Sequence, residues 1–425
     1  MFGDEIKKRL GIFMETSEVA FSIVRTLVEA GHEAYYAGGW VRDHLMNLAS
    51  DDIDIATSAL PEKVMALFPR TLSVGACFGV VVVIEDNKQF EVATFRQDAS
   101  YLGGRKPSAV TYTNAKEDAM RRDFTINGMF FNPINERIYD YVDGQRDLKN
   151  AVIKAIGDPF ERFSEDRLRM IRAVRFSVRF NFQIEEQTKQ AIKATAKKLF
   201  PAVSMERIWK ELCRMVEDGS FSKAVLLLQD LGLLEEIFPT LKKEKEEVKR
   251  RLLSVSRFPE ECPSILYVME LFEGQSLKQQ LEICLYLKVS NKDCRLVKEA
   301  FFAKDLCGRE SCVEPVQWAH YYANPHSQIF LNILSARLSL EESKKFLFRH
   351  RKRRGKLIEA IKRIEEKKPL VSSAHLRSRG VSSGKIMGDL LREAERIAVN
   401  QNLESSEEVL DLLEKSLIWS KKDGS

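Results

Sequence analysis

Apolar residues near the start of the chain, Phe13, Val19, Ile23, Leu27 and Val28, recur at close to helical spacing, and Gly31 supplies a stop. Residues 33–37 then read as a short strand that ends on two glycines, and residues 41–48 return to a helical pattern. Residues 52–56 alternate acid and apolar, as a half-buried strand does. Ser58 and Pro61 open a further helix reaching Phe68, with the proline early, where it removes no needed hydrogen bond. Two Val- and Ile-rich runs, 78–85 and 90–95, flank Asp86-Asn87 as a hairpin. The polar stretch 98–110, containing Gly103 and Gly104, reads as a loop. Residues 114–129 read as a helix and 138–142 as a last strand. Strands alternating with helices predict an α/β domain over 1–150. From residue 164 onward long amphipathic segments follow one another, so the remainder is expected to be all-α, with boundaries near 210 and 310.

Composition narrows the class. At 425 residues the chain is too long for one ordinary domain. A hydrophobic content of 44% with 30% charged residues fits a soluble globular protein, and no run approaches the roughly 20 apolar residues of a membrane span. The first residues carry early acids and no apolar signal core. Seven scattered cysteines suit a reducing, cytoplasmic setting, and Cys307 with Cys312 lacks the second pair or histidine that a zinc site needs. The net charge of +5 names no partner by itself; its placement says more.

The densest chemistry lies in Gly38-Gly39-Trp40-Val41-Arg42-Asp43 and in Asp52-Ile53-Asp54. Glycines allow backbone to approach a phosphate, and a helix start presents unpaired N–H groups to an anion. Asp52 and Asp54, two apart on a strand, would face one side and could hold two Mg²⁺ ions about 3.5–4 Å apart. Glu91, on the neighbouring hairpin strand, could orient that pair. The alternative is a strand with acids on its wet face. Arg42 in a first helical turn opposes the helix dipole, which makes sense beside a bound phosphate. Arg122 and Asp123 give a similar picture on the 114–129 helix: the first can clamp phosphate and the second can hold it in place.

A second group is Asp166, Arg169, Arg172 and Arg175, spaced by three on a helix expected to be capped by Ser164. Such a stripe can be an exposed salt-bridged face. It can also read bases. Cytosine and adenine each show an amino donor beside a ring-nitrogen acceptor, which a carboxylate and a guanidinium complement; uracil and guanine invert that pattern. Asp166 with Arg169 could therefore select C and A with no template, leaving Arg172 and Arg175 to hold triphosphate or prime the pair.

These blocks, with Arg121-Arg122-Asp123-Phe124-Thr125-Ile126-Asn127, Glu165-Asp166-Arg167-Leu168-Arg169 and Ser204-Met205-Glu206-Arg207-Ile208, stand in the order of a known family. The chain resembles the class II tRNA nucleotidyltransferase and poly(A) polymerase family, closest to bacterial-type CCA-adding enzymes. The resemblance implies a nucleotidyltransferase head (1–150) with a small mixed sheet, a neck with the base-reading helix (151–210), a helical body (211–310) and a tRNA-binding tail (311–425). It implies catalysis at Asp52 and Asp54 as metal ligands, and nucleotide contacts from Gly38, Gly39, Arg42, Arg122, Asp123, Asp166, Arg169, Arg172 and Arg175. Glu206 and Arg207 would stabilise the neck. The implied activity is CCA addition to tRNA 3′ ends from CTP and ATP, with no obligate protein partner. The alternatives are an A-adding or CC-adding partial enzyme, a poly(A) polymerase, or an inactive RNA-binding homologue. The run Val74-Gly75-Ala76-Cys77-Phe78-Gly79 looks like the CCA-adding version, and a full-length 98–110 stretch favours a complete CCA or an A-adding enzyme. Asn47, Gly128 and Val80 depart from the usual residues without removing a functional group.

The last charge cluster runs from Lys344 to Lys356 and includes Arg349, His350, Arg351, Lys352, Arg353 and Arg354, with Phe346, Leu347 and Phe348 interleaved. A basic helix with an apolar side suits a nucleic-acid backbone. Gly380, Gly384 and Gly388 open a further helix that resembles the family's tail segment.

Overall fold

The computed structural model describes residues 2–75, 78–98, 101–102, 106–107 and 110–421. They fold as two compact units, Met1–Lys245 and Glu246–Ser425. The first holds a mixed sheet with helices around it, and the second is built of helices.

A long helix α1 (Phe2–Glu29) leads into strand β1 (Ala34–Ala37), helix α2 (Gly39–Leu45), strand β2 (Asp54–Thr57) and helix α3 (Pro61–Leu67). Strands β3 (Thr71–Gly75), β4 (Val80–Glu85) and β5 (Lys88–Thr94) follow, then helix α4 (Ala115–Met120) and strands β6 (Phe130–Asn132) and β7 (Arg137–Tyr139). The seven strands form one sheet in the order β7-β6-β1-β2-β5-β4-β3. β2 and β5 run parallel, whereas β1 is antiparallel to both β2 and β6. All four residues of β1 are buried because the strand is central and covered on both faces. The period-2 alternation sorts its side chains. Tyr36 joins Val19, Ile23, Leu27 and Ile55 in one core. Tyr35 and Ala37 join Ala56, Phe95, Ala119 and Phe130 in the other. The hairpin turn is where the sequence puts it: Asp86 and Asn87 have φ of 47° and 58°, the paired left-handed geometry of a two-residue turn.

Several expectations need correction. The strand bearing the acids begins at Asp54, so Asp52 precedes the sheet, and the strand's last three residues are all buried. The helix expected over 114–129 ends at Met120; Arg122 and Asp123 lie in the turn after it, ahead of a single 3₁₀ turn, Thr125–Asn127. Strands β3 and β6 carry no clean alternation in the sequence. The segment between Asp98 and Val110, read as a loop, carries short ladders: Arg96–Asp98 with Val110–Tyr112, and Tyr101–Leu102 with Lys106–Pro107. Residues 99–100, 103–105 and 108–109 lie outside the described residues, as do Ala76 and Cys77 of the run before β4.

Past the sheet, helix α5 (Pro159–Glu165) and helix α6 (Leu168–Phe180) replace the one helix expected from Ser164. Asp158 caps α5, accepting from the amides of Phe160 and Glu161, with Pro159 at the first position. Ser164 sits inside α5, its hydroxyl donating to the carbonyl of Glu161. Asp166 breaks the run with an extended backbone (φ −141°, ψ 103°). Helix α7 (Met205–Glu217) packs beside α6.

In the second unit the helix Leu340–Lys356 begins with a reciprocal Ser339–Glu342 capping box. Its Phe346 packs with Trp318, Tyr322 and Leu331 in a core of that unit. Among the described residues, no helix is long and apolar enough to cross a membrane.

Candidate active site

Gly38 has φ of 68°, a region where L side chains are strained, and it ends β1 just ahead of α2. A Cβ there would lie 3.2 Å from Arg122 Nη1 and 3.7 Å from Asp54 Oδ2. Glycine thus lets the backbone pass beside both a cation and a carboxylate. Gly39 is the first residue of α2, a helix of seven residues. Asn47, where the family often has glycine, has φ of 54°, a conformation that asparagine tolerates better than most residues.

Asp54 opens β2, opposite Ala37 in the register with β1. Its carboxyl is pushed up to about 6, first by burial and then by the negative charge of Asp52 and Glu91, with Arg122 pulling the other way. Asp52 is exposed, and Glu91 is exposed on β5, whose next residue Val92 pairs with Ile55 of β2. Negative charge thus gathers around the start of β2, near the middle of the sheet, with the Arg122 guanidinium to offset it.

Arg42 is only 3% exposed and is held on several sides. Its Nε donates to Asp43 Oδ1 at 2.8 Å and its Nη1 to Asn127 Oδ1 at 2.6 Å, while the rings of Phe176 and Phe180 lie against its guanidinium carbon. Asn127 passes the contact on, its amide donating to Asp123 Oδ1 at 3.1 Å. The other oxygen of Asp123 accepts from Arg172 Nε at 2.8 Å. Burial pushes the Asp123 carboxyl up, but Arg172, the Asn127 hydrogen bond and Arg169 outweigh it and hold the group at about 2. Arg121 and Arg122 both grip Asp118, at 2.8 and 3.0 Å, so two cations are aimed by one buried carboxylate.

On the far side, Asp166 and Arg169 flank the start of α6. Arg169 donates to Glu165 at 2.7 Å and to the carbonyls of Arg162 and Arg121. Asp166 is gripped by both Nη atoms of Arg207, at 3.1 and 2.6 Å. These groups surround one open cavity of about 390 Å³, lined also by Gly38, Gly39, Arg42, Asp54, Arg122, Asp123 and Arg172.

Three residues named from the sequence stand off that lining: Asp52, Glu91 and Arg175. Arg175 is buried in α6 and donates to Glu211 Oε2 at 2.6 Å. Spacing by three drifts around a helix, so the last arginine of the stripe turns toward α7. Asn127, Arg207 and Phe176 line the cavity although the sequence reading gave them no part in binding. The signal for Arg207 was present: a cation in a first helical turn, the anomaly already noted at Arg42.

Comparison with known proteins bears on the family and the fold. A family profile described as the poly A polymerase head domain matches residues 34–154, and one described as the probable RNA and SrmB-binding site of polymerase A matches 181–245. The CCA-adding enzyme of Bacillus subtilis (strain 168) is 36% identical over 294 residues, 68% of this chain and 72% of that one. The chain belongs to the CCA-adding enzyme family. The CCA-adding enzyme of Geobacillus sp. (strain WCH70) is 42% identical over 236 residues, where the aligned part spans 58% of that relative's length. The crystal structure of the Bacillus stearothermophilus CCA-adding enzyme in complex with CTP superposes with a TM-score of 0.77 at 27% identity, over 96% of this chain and 99% of that one. The mixed-sheet head followed by helices is the fold of that family.

Proposed function

We propose that the protein adds C, C and A to tRNA 3′ ends from CTP and ATP without a template, releasing pyrophosphate. The observation that carries this reading is one cavity that joins a carboxylate crowded by negative charge, Asp54, to the base-reading candidates Asp166 and Arg169. A relative that was crystallised with CTP supports the choice of nucleotide.

Asp52 and Asp54 fit a divalent cation. Hard carboxylate oxygens suit Mg²⁺, and excess negative charge around Asp54 is what a cation relieves. When bound, Mg²⁺ lowers the pKa of the attacking hydroxyl and neutralises charge on the triphosphate. Glu91 deepens the local negative potential. Arg122, aimed by Asp118, and Arg172, held by Asp123, are placed to take phosphate charge. Gly38 and Gly39 leave room for the phosphates beside that cation, and Arg42 fixes the glycine turn by tying α2 to Asn127.

Base choice then falls to Asp166, accepting from the amino group of C or A, and to Arg169, donating to the ring nitrogen. Arg175 acts indirectly, by anchoring α6 to Glu211. The chain's division into head, neck, body and tail over 1–150, 151–210, 211–310 and 311–425 and a cytoplasmic location belong to the same proposal. The test supplies purified protein, Mg²⁺ and a tRNA lacking CCA with each nucleoside triphosphate singly. CTP alone should extend the tRNA by two residues, and UTP and GTP should be rejected; equal use of UTP and CTP contradicts the reading.

A further inference from the structure

We propose that Arg207 is a specificity-determining positioning residue, holding the Asp166 carboxylate in the one orientation that accepts from a base amino group. The inference rests on the function proposed above. Asp166 lies between α5 and α6 with an extended backbone, so its side chain does not belong to the regular face of either helix. Its carboxylate is held by the first amide of α6 and, from outside, by Arg207. Oδ1 accepts from the Leu168 amide at 3.0 Å and from Arg207 Nη1 at 3.1 Å, and Oδ2 accepts from Arg207 Nη2 at 2.6 Å. A two-toothed guanidinium grip sets direction as well as charge, which a single point cation does not.

The placement of Arg207 has no other favourable explanation in its own helix. It stands in the first turn of α7, where the helix dipole opposes a cation, and the ion pair with Asp166 offsets that cost. Its side chain lines the same cavity as Asp166 and is about one quarter exposed. The donor half of the base reader is independent of it, because Arg169 is held by Glu165 and by the carbonyls of Arg162 and Arg121. Loss of Arg207 therefore removes two contacts from the acceptor alone and leaves it only the Leu168 amide. A carboxylate free to turn about that one remaining contact no longer meets uracil's carbonyl oxygen with a fixed opposing oxygen, and rejection of UTP weakens.

The experiment measures kcat/KM for CTP and UTP on a tRNA lacking CCA, for the full chain and for Arg207→Ala, Arg207→Lys and Arg207→Gln, with the thermal unfolding of each. Loss of a charge-assisted hydrogen bond predicts a CTP-to-UTP preference reduced roughly 10- to 100-fold in the alanine variant, with lysine in between. If the alanine variant does not fold, the lysine and glutamine variants, which keep a donor, carry the comparison. A purely structural tie from α7 to the α5–α6 junction predicts a lower unfolding temperature with the preference unchanged, and that result overturns the inference. A wild-type protein that does not discriminate CTP from UTP defeats the proposed function itself; a discriminating wild type whose folded variants all keep its ratio defeats this inference alone.

Discussion

At the scale of single residues, the acids are placed differently from what their spacing suggested. Asp52 and Asp54 were expected side by side on one strand face. Asp54 is the half-buried one whose carboxyl rises to about 6, while Asp52 lies exposed ahead of the strand. Under the proposed chemistry both are needed, so Asp52→Ala and Asp54→Ala should each abolish nucleotide incorporation while a filter-binding assay shows tRNA affinity largely unchanged. His350 offers a stability test away from that site. It is buried against Trp318 and Phe346 and bonded through Nδ1 to the Tyr322 hydroxyl at 2.8 Å. Burial first, and then Arg353 with Arg349, lowers its pKa to about 4, while Glu310 pulls upward. The folded protein thus prefers the neutral ring, and the unfolded chain binds the extra proton. Stability from this group is complete above pH about 6.5 and is lost as pH falls toward 4, by about 3 kcal/mol at most. Thermal unfolding of wild type and His350→Phe between pH 7 and 4 should converge as the pH drops; parallel curves would show that the ring is not held neutral.

At the scale of elements, the sequence marked most helices and the hairpin because their signals are local. Pro61 at a helix start and Asp86-Asn87 at a turn are decided by neighbours in the chain. The failures have a common cause in tertiary context. Ser164 followed by Glu165 and Asp166 looks like a helix start, but Asp158-Pro159 had already begun a helix, and the fold uses Asp166 as the break. The strand Phe130–Asn132 is three residues long and gains its place by pairing with β1 and β7, which no local pattern announces. The stripe on α6 was legible as charge but not as partners: Arg172 reaches Asp123, and Arg175 reaches Glu211. Glu211 is 2% exposed and also within reach of Arg214 at 3.2 Å. Removing its charge leaves Arg175 buried without its counter-ion. Glu211→Gln should cost about 3–5 kcal/mol in chemical denaturation, and Arg175→Met combined with Glu211→Leu should recover much of it. A loss below about 1 kcal/mol would show that the pair is dispensable to the α6–α7 packing.

At the scale of the whole molecule, the division into an α/β head and helical remainder was legible because strands and helices differ in hydrophobic period. The cavity was not, since it gathers residues from Gly38 to Arg207 that only folding brings together. The basic cluster in the second unit also resolves into two kinds of residue. Arg353 lies over the Trp318 ring and pairs with Glu310, as does Arg349, and His350 is buried; these hold the helix in place. Arg351 and Lys352 are exposed and remain available to a phosphate backbone. Reversing them, as Arg351→Glu with Lys352→Glu, should weaken tRNA binding and flatten its salt dependence with little effect on unfolding temperature. Unchanged affinity would remove that face from the RNA interface. The central claim is that one cavity adds C twice and A once and then ends. Its most direct test is sequencing the 3′ ends produced when the purified protein, Mg²⁺, CTP and ATP act on tRNAs lacking A, CA or CCA. Every substrate should finish in CCA; a long run of A, or growth only of the tRNA that lacks the final A, would contradict it.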